Sequence, residues 1–322
     1  MEPDRLEAVI AAVVKELEAA LPAAPAPPPP PAEAKAPPPA AAPAPAAPGP
    51  RPGSTPPAQG PDLRIDLPDP TLPEARRRPG ITDPADADGL AALMESTTAR
   101  IGVGRAGPCL RTAALNLFTS DLAVTKDALA RDVDPALLAR LGLFTVRTRV
   151  VGGKEEFLLR PDLGRQLDDE ARRTVKERCL SGPDVQICAG DGLSAQAVEV
   201  NLEKILPVLQ SGCATAGLSL GTPFFIQHCR VGVLNDIGGL LQPKVAILLI
   251  GERPGLGRAD SLSAYMAYRP QPGHTDAERD VICNIFDGGG ANPLEAGAYA
   301  LRLAQRMIRN QASGVKLKLM EE

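Results

Sequence analysis

The feature that most constrains the fold is a regular alternation of short apolar runs and helical segments from Pro183 to the C-terminus. The candidate strands are DVQICAGDGLS, GTPFFIQHCRVGV, VAILLIGERPGLG and SLSAYMAYRP. The candidate helices are AQAVEVNLEKILPVLQSG, which Ser194 is placed to cap, and NPLEAGAYALRLAQRMIRNQASG. Such alternation is typical of a parallel or mixed sheet covered by helices. We therefore predict the α/β fold class, with a Rossmann-like, mostly parallel sheet flanked by helices.

In open sheets of this type, ligands bind outside the carboxyl ends of the strands. The loops that follow the candidate strands cover residues 190–194, 221–232 and 251–257. These three loops are the predicted site.

The region 86–182 precedes the α/β domain, which we place at 183–322. Helical spacing in DGLAALMESTTARIGVGRAGP and in RTAALNLFTSDLAVTKDALARDVDPALLARLG predicts helices, the second broken at Asp134-Pro135. The stretch LFTVRTRVVGGKEEFLLR alternates apolar and polar residues around Gly152-Gly153, which predicts a hairpin. A further helix is expected in PDLGRQLDDEARRTVKERCL. The region is therefore expected to be mainly helical with one hairpin.

The N-terminal quarter of the chain has a different composition. Residues 22–85 are rich in proline and alanine and predict a disordered linker, because such a segment cannot pair its backbone or bury a core. Residues 1–21 predict an amphipathic helix with a capping box at Asp4 and Glu7 and an end at Pro22. Its apolar stripe consists of Leu6, Val9, Ile10, Val13, Val14, Leu17 and Leu21.

A short helix on such a tether needs a partner surface, because it is marginal alone in water. Two interpretations stay open: a coiled-coil or docking helix of the same complex, and an address peptide that binds another protein. A membrane-surface helix is disfavoured, because acidic residues outnumber the basic residues in the segment.

Charge and composition exclude several classes of function. With 35 Lys and Arg against 39 Asp and Glu, the net charge of −4 gives no reason to expect nucleic-acid binding. No apolar run approaches the roughly 20 residues that span a bilayer, and no secretory signal is visible, so we expect a soluble intracellular protein. The 6 cysteines are scattered without a C-x-x-C, and there are only 2 histidines, so we expect reduced thiols and no structural metal.

Common catalytic signatures are absent from the sequence. There is no Gly-Lys-Ser/Thr phosphate loop, and the glycines of GERPGLG lie at the wrong offsets for a dinucleotide fingerprint. Neither His228 nor His274 lies in a nucleophile signature such as G-x-S-x-G. We therefore predict no self-sufficient catalytic apparatus in this chain.

Glu252 stands out, because it follows an apolar strand directly and begins a loop shaped by glycine and proline. Its carboxylate could accept hydrogen bonds from the amide groups of a large ligand. Alternatively, Glu252 and Arg253 form a pair that braces the loop. The residues alone lead as far as a large ligand or partner with a polar edge.

Ordered sequence blocks from about Met94 to Leu319 resemble the small subunit of ethanolamine ammonia-lyase, an adenosylcobalamin-dependent bacterial enzyme. The blocks are GRAGP with Arg111-Thr112, RPDLGR, GPDVQ with DGLSA, NLEKILP, AGLSLGTPFF, LLIGERPGLG with SLSAY, and the terminal RM and ASG. So many blocks in matching order are more specific than any single one.

The resemblance implies one half of a two-subunit enzyme. In this family the small subunit joins a larger TIM-barrel subunit, cobalamin is held between them, and the large subunit is thought to hold the substrate. The implied reaction converts ethanolamine to acetaldehyde and ammonia by a radical mechanism, in a hetero-oligomer of several large–small pairs. The implied cofactor contacts of this chain are Val231, Glu252 and Val281. At Val281 the better-known members have cysteine, so only a backbone contact is expected there.

Two further expectations follow. The chain lacks the Asp-x-His-x-x-Gly loop of several cobalamin enzymes, since Cys-Arg-Val follows His228, so adenosylcobalamin is expected base-on. The tethered helix is expected to address the protein, through shell proteins, to a bacterial microcompartment within the cytoplasm. The alternatives are a scaffold subunit without cofactor contacts and an independent nucleotide-sugar or phosphosugar enzyme. The missing phosphate loop disfavours the last.

Overall fold

The computed structural model describes residues 78–97, 99–256 and 258–320, which belong to one compact unit, Asp66–Glu322. The predicted helix at 1–21 and most of the linker at 22–85 lie outside the described residues. Residues 78–86, at the end of the predicted linker, form no regular element. No helix of the described part combines the length and apolar content needed to cross a membrane.

Helices and strands follow one another along the chain. The helices are α1 Ala87–Ser96, α2 Thr112–Ala130, α3 Pro135–Arg140, α4 Gly153–Leu159, α5 Asp169–Arg178, α6 Ala195–Thr215, α7 Val233–Leu241, α8 Pro293–Asn310 and α9 Val315–Leu319. The strands are β1 Arg105–Ala106, β2 Cys109–Leu110, β3 Phe144–Arg147, β4 Val185–Gly190, β5 Phe224–Gln227, β6 Val245–Gly251, β7 Leu262–Tyr268 and β8 Arg279–Ile285. Single 3₁₀ turns cover Leu163–Arg165 and Asp276–Glu278.

Six strands form one mixed sheet in the order β3-β5-β4-β6-β7-β8. The neighbours from β3 to β6 pair in parallel, and β7 and β8 add in antiparallel fashion. The predicted α/β class with a mostly parallel sheet is therefore confirmed. The four strands and two long helices proposed from the alternation are all present, and Ser194 caps α6 by accepting a hydrogen bond from the Ala197 N–H at 3.2 Å.

The central strand β6 is buried along its whole length, because helices cover both faces of the sheet. Val245, Ile247 and Leu249 pack into a core with α3, α6 and α8. The alternate residues of β6 pack into a second core with α5 and α7. A strand buried on both faces favours apolar side chains along its whole length, which explains the unbroken run VAILLIG.

The predicted hairpin around Gly152-Gly153 is wrong. The alternating residues before it form β3, which pairs in parallel with β5 at the edge of the main sheet. A helix, α4, starts at Gly153, whose φ is +72°. The Glu156 carboxylate stabilises this start by accepting hydrogen bonds from the N–H groups of Val151 and Gly152, at 2.8 and 2.7 Å. The hairpin of this region is instead β1–β2, which turns at Gly107.

The region 86–182 also contributes to both cores. Leu137 and Leu138 of α3 lie in one core, and Ala171 and Val175 of α5 lie in the other. Together with β3, these helices tie the region to the sheet on both faces. The domain boundary predicted at residue 183 therefore does not divide the protein into two parts with separate sheets or separate cores.

Candidate functional site

A cavity of about 410 Å³ lies at the carboxyl ends of β4, β5 and β6. Its walls come from the three predicted loops, from Ile250 of β6 and from Tyr265 of β7; the lining residues are Gly192, Leu193, Cys229, Arg230, Val231, Ile250, Gly251, Glu252, Arg253 and Tyr265. The loops meet there because parallel strands end at the same edge of the sheet. The predicted location is therefore a real concave surface.

Two glycines allow the loops after β4 and β6 to approach each other. Gly192 has a φ of +52°, and a side chain there would collide with the Gly251 carbonyl. A side chain at Gly251 would in turn collide with the Ser194 carbonyl and lie 2.5 Å from the Asp191 carbonyl oxygen. The Leu193 N–H donates to the Gly251 carbonyl at 3.0 Å, which fixes this backbone contact. The cavity floor is thus main chain held against main chain.

The Glu252 carboxylate is half-buried and is held by β7, by the residue that precedes β7 and by β8, rather than by Arg253. Ser261 Oγ donates to Glu252 Oε2 at 2.9 Å, and Ser263 Oγ donates to Oε1. The Asn284 N–H donates to Oε1 at 3.2 Å. Arg253 is exposed, and no ion pair joins it to Glu252 in the part of the chain that the structure describes. The alternative in which Glu252 pairs with Arg253 is therefore wrong. Two serine hydroxyls and one main-chain N–H hold the carboxylate instead.

This geometry leaves Glu252 some capacity for a ligand. A carboxylate offers about four lone-pair positions, and the three internal donors fill two on Oε1 and one on Oε2. One position on Oε2 remains for a further donor. The carboxylate therefore fixes the end of β7 and β8 and can still accept a hydrogen bond from an amide in the cavity.

Val231 and Val281 occupy different positions relative to the cavity. Val231 lines it, and its N–H makes no hydrogen bond within the described residues. Val281 does not line the cavity, but it is 48% exposed on β8 and lies opposite Tyr265 in the antiparallel register. Residues opposite each other in such a pair share a face of the sheet, so Val281 extends the surface of which Tyr265 is a part. Burial, and next the nearby charge of Glu252, raise the pKa of Tyr265.

A buried carboxylate orders the loop that carries Val231. Asp191 is 1% exposed and accepts hydrogen bonds from the His228 N–H at 3.0 Å and the Cys229 N–H at 3.1 Å. Lys154 Nζ of α4 donates to the same carboxylate at 2.8 Å. Asp191 therefore connects α4, the end of β4 and the loop after β5.

Asp132, Asp191 and His228 bring three possible metal-ligand atoms within 4.8 Å of one another. The Lys154 ammonium lies 2.8 Å from Asp191 and 3.6 Å from Asp132, so a cation already occupies this cluster. Burial lowers the pKa of His228, whose ring packs 5.8 Å from that of Phe157. Lys154, Asp191 and Asp132 therefore form an ion-pair cluster next to the loop that carries Val231.

Residues 87–318 match the model of a protein family described as ethanolamine ammonia-lyase light chain (EutC), which covers more than two thirds of the 322 residues. The chain belongs to the ethanolamine ammonia-lyase light-chain family. The resemblance found in the sequence blocks is thereby confirmed. Membership makes this chain a light subunit of an ammonia-lyase, implies a large-subunit partner, and places it in a cobalamin-dependent enzyme.

In this light chain, sequence reasoning missed several residues around the cavity. Arg230 and Tyr265 line it, and Lys154 neutralises the carboxylate beneath it. Arg230 was visible only as the neighbour of Val231, and Tyr265 only as an alternating residue of a strand. Nothing in the sequence links Lys154 to Asp191, 37 positions away. The roles of Val231, Glu252 and Val281 as cofactor contacts stay predictions.

Proposed function

We propose that this light chain forms one wall of the adenosylcobalamin site of ethanolamine ammonia-lyase, while the large subunit holds the substrate. The cavity beside Glu252 supports this proposal, because it joins a half-buried carboxylate with spare hydrogen-bond capacity to unpaired donors of the loop after β5. Adenosylcobalamin, when bound, supplies the radical chemistry that converts ethanolamine to acetaldehyde and ammonia. The light chain binds and orients the cofactor and takes no catalytic role, so it is active only with the large subunit.

The size of the cavity fits one part of a large cofactor. Its volume of about 410 Å³ lies near the lower end of the roughly 300–1,000 Å³ typical of small-ligand pockets, whereas a corrin ring with its side chains is much larger. The light chain can therefore enclose an edge of the cofactor and leave the remainder to a second surface. This division agrees with an obligate partner, which we propose is the TIM-barrel large subunit in a hetero-oligomer of several pairs.

Each predicted contact residue offers a defined group to this cofactor. Glu252 can accept from a propionamide N–H, since Oε2 receives one hydrogen bond from the described chain and has capacity for a second. Val231 offers its N–H to an acceptor, and Val281 offers an exposed aliphatic surface and the main chain of strand β8. These groups bind by position and chemistry without reacting.

We infer that the cofactor binds base-on. A histidine that replaces the cofactor's own base must reach the metal, whereas His228 is 8% exposed, packs against Phe157 and lies beneath the loop. Burial also disfavours its charged form. The buried position of this imidazole supports retention of dimethylbenzimidazole on the cobalt.

We also propose encapsulation in a bacterial microcompartment through the N-terminal segment. The family match covers residues 87–318, so residues 1–86 lie outside the part of the chain that matches the light-chain family. Their apolar stripe and Pro/Ala-rich composition are suited to an address helix on a tether, and shell proteins are the proposed partner.

A scaffold role is the second candidate, and Glu252 discriminates between the two. The internal brace on its carboxylate is what a purely structural residue would show. In that case the loss of Glu252 would lower stability and leave cofactor affinity unchanged.

The test measures adenosylcobalamin binding and ethanolamine turnover for this chain, a cognate large subunit and their mixture. Glu252→Ala is compared with Ser263→Ala, which removes one internal donor and keeps the carboxylate, and with Glu177→Ala on the exposed side of α5. We expect turnover only from the mixture, and weakened cofactor binding in Glu252→Ala alone. Equal affinity in Glu252→Ala and wild type, with a lower melting temperature in both Glu252→Ala and Ser263→Ala, would establish the scaffold role instead.

A further inference from the structure

Three arginines gather at one side of the cavity, and we call Arg165, Arg230 and Arg253 the arginine cluster. Arg230 and Arg253 line the cavity. The side chain of Arg165 lies against Gly232, directly after Val231 in the same loop. Because the three come from separate parts of the chain, only the fold brings their charges together.

Arg230 is the fixed member of the cluster. Its guanidinium lies 4.2 Å from the centre of the Phe157 ring, and one Nη donates to the Phe157 carbonyl at 3.0 Å. Its Nε is buried and has no hydrogen-bond partner in the described chain. Burial lowers the pKa of Arg230, and the positive charges of Arg253 and Arg165 lower it further, so each of these two residues lies within electrostatic reach of Arg230.

The acids near the cluster are already engaged by other groups. Asp191 is bonded to Lys154 and to two main-chain N–H groups. Glu252 is bonded to two serines and a main-chain N–H. Within the ranges that the structure describes, no carboxylate forms an ion pair with a member of the cluster. The donors to Glu252 are uncharged, so its negative charge remains at the cavity, where the three arginines of the cluster outnumber it.

The main chain adds donors of the same character. The N–H groups of Val231 and Gly232 make no hydrogen bond within the described residues, and they immediately precede α7, which begins at Val233. The positive end of a helix dipole favours an anion next to these donors. Arginine forks and main-chain N–H groups together are a donor set suited to a phosphate group.

We propose that the arginine cluster binds a phosphate group, and that this group is the phosphodiester of the cofactor's nucleotide loop. The proposal rests on the proposed function, because it assigns one part of adenosylcobalamin to one side of the cavity. The cavity of about 410 Å³ is much smaller than a corrin ring with its side chains, so only a part of the cofactor, such as the nucleotide loop, can enter it. The cluster would then select complete cobalamins over corrinoids that lack the nucleotide.

The test compares cobalamin with cobinamide, which lacks the phosphate, ribose and base, on the complex of this chain with its large subunit. Equilibrium dialysis with spectral detection measures the affinity of each, for wild type, Arg230→Met, Arg253→Met and Arg230→Lys. Methionine keeps an apolar stem against Phe157, and Arg253 is exposed, so its variant is informative even if Arg230→Met folds poorly. Arg302→Met on the exposed face of α8 is the matched control.

We expect both methionine variants to lose about tenfold or more in affinity for cobalamin and to bind cobinamide nearly as wild type does. Arg230→Lys is expected to lose less than Arg230→Met, and Arg302→Met to lose nothing. An equal loss for both corrinoids, or no loss for either, would overturn the phosphate assignment while leaving the cofactor proposal standing.

A further arm separates the cofactor's phosphate from a free one. If inorganic phosphate raises the melting temperature of wild type and not of the variants, while cobalamin affinity is the same in all, the cluster is a free-anion site and the proposal is wrong. If the wild-type complex binds neither corrinoid, the proposed function fails together with it. Failure of the phosphate assignment and failure of the proposed function therefore give different results.

Discussion

At the scale of single residues, the site depends on positions where a side chain would be harmful. Gly251 ends β6 and lies against the main chain of the loop after β4, so the cavity floor is defined by two glycines rather than by polar side chains. Glu252 follows directly and takes its direction from this contact. Gly251, which has no side chain, thus fixes the position of the Glu252 carboxylate.

Gly251→Ala is expected to destabilise the protein by roughly 1–3 kcal/mol, because the new methyl group would collide with main-chain atoms that cannot rotate away. Cofactor affinity of the complex is expected to fall with it, since Glu252 would shift. Denaturant unfolding and corrinoid binding check both results. Gly255→Ala is the control, because its nearest neighbour would be the Arg258 carbonyl oxygen at 3.9 Å. Equal effects at 251 and 255 would contradict the explanation.

The ion pair beneath the loop gives a second residue-scale prediction. Lys154→Met removes the cation bonded to Asp191, whose side chain is 1% exposed, and leaves a buried carboxylate without its counter-charge. We expect a loss of about 3 kcal/mol in unfolding free energy. Lys244→Met breaks a pair with Asp184 in which the lysine is 47% exposed, and is expected to cost about 1 kcal/mol or less. Similar losses in the two variants would show that burial does not set the difference.

At the scale of elements, α6 contains an irregularity that the fold tolerates. Pro207 lies inside this helix on its exposed side and cannot donate to the Glu203 carbonyl one turn earlier. The opposite side of α6 packs into the core with α8, and this packing holds the helix together.

Pro207→Ala is therefore expected to stabilise the protein by about 1–2 kcal/mol. Alanine restores a helical hydrogen bond, and this gain is larger than the entropic cost of folding a chain that is more flexible when unfolded. Thermal unfolding measures the change. Pro135→Ala provides the comparison, since Pro135 is exposed in the first turn of α3, where its missing N–H breaks no helical bond. A gain at 135 as large as that at 207 would refute the hydrogen-bond explanation.

The elements also show how far sequence reasoning reaches. β4 and β6 were predictable because a strand buried on both faces is mainly apolar, and Gln186 of β4 is the one polar residue in these two strands. β8 was not predicted, because an edge strand with an irregular register near Leu262 and Ala264 shows no clean alternation. β3 was mistaken for half of a hairpin, because a local pattern gives a strand but not its partner, and β5 lies far along the chain.

The candidate site was also only partly predictable from the sequence. The loops that meet, and Glu252 within one of them, followed from the ends of parallel strands, whereas Val231 and Val281 were implied only by the family resemblance. The partners of Glu252 did not, because Asn284 is 32 positions away and reaches the carboxylate only through the pairing of β7 with β8. Arg165 lies in a 3₁₀ turn before α5, and no periodicity connects it with Arg230.

At the scale of the whole molecule, the family match and the described unit both exclude the first 65 residues. We expect that deleting residues 1–60 leaves assembly and lyase activity of the reconstituted pair intact and abolishes co-sedimentation with shell proteins. Activity assays and sedimentation of both forms check this expectation. Loss of activity would show that residues 1–60 are needed for the enzyme reaction. Unchanged co-sedimentation would show that they do not direct the protein to the shell.

The hydrogen bond from Asn284 to Glu252 also determines how late in synthesis the cavity is completed. Chains emerge from the ribosome N-terminus first, and the strand that completes the brace on Glu252 is the last of the sheet. The helix that covers it, α8, follows still later. A nascent chain can therefore display the loops after β4 and β5 before the brace on Glu252 is complete, so we expect the ligand to bind in full only after β8 has paired with β7.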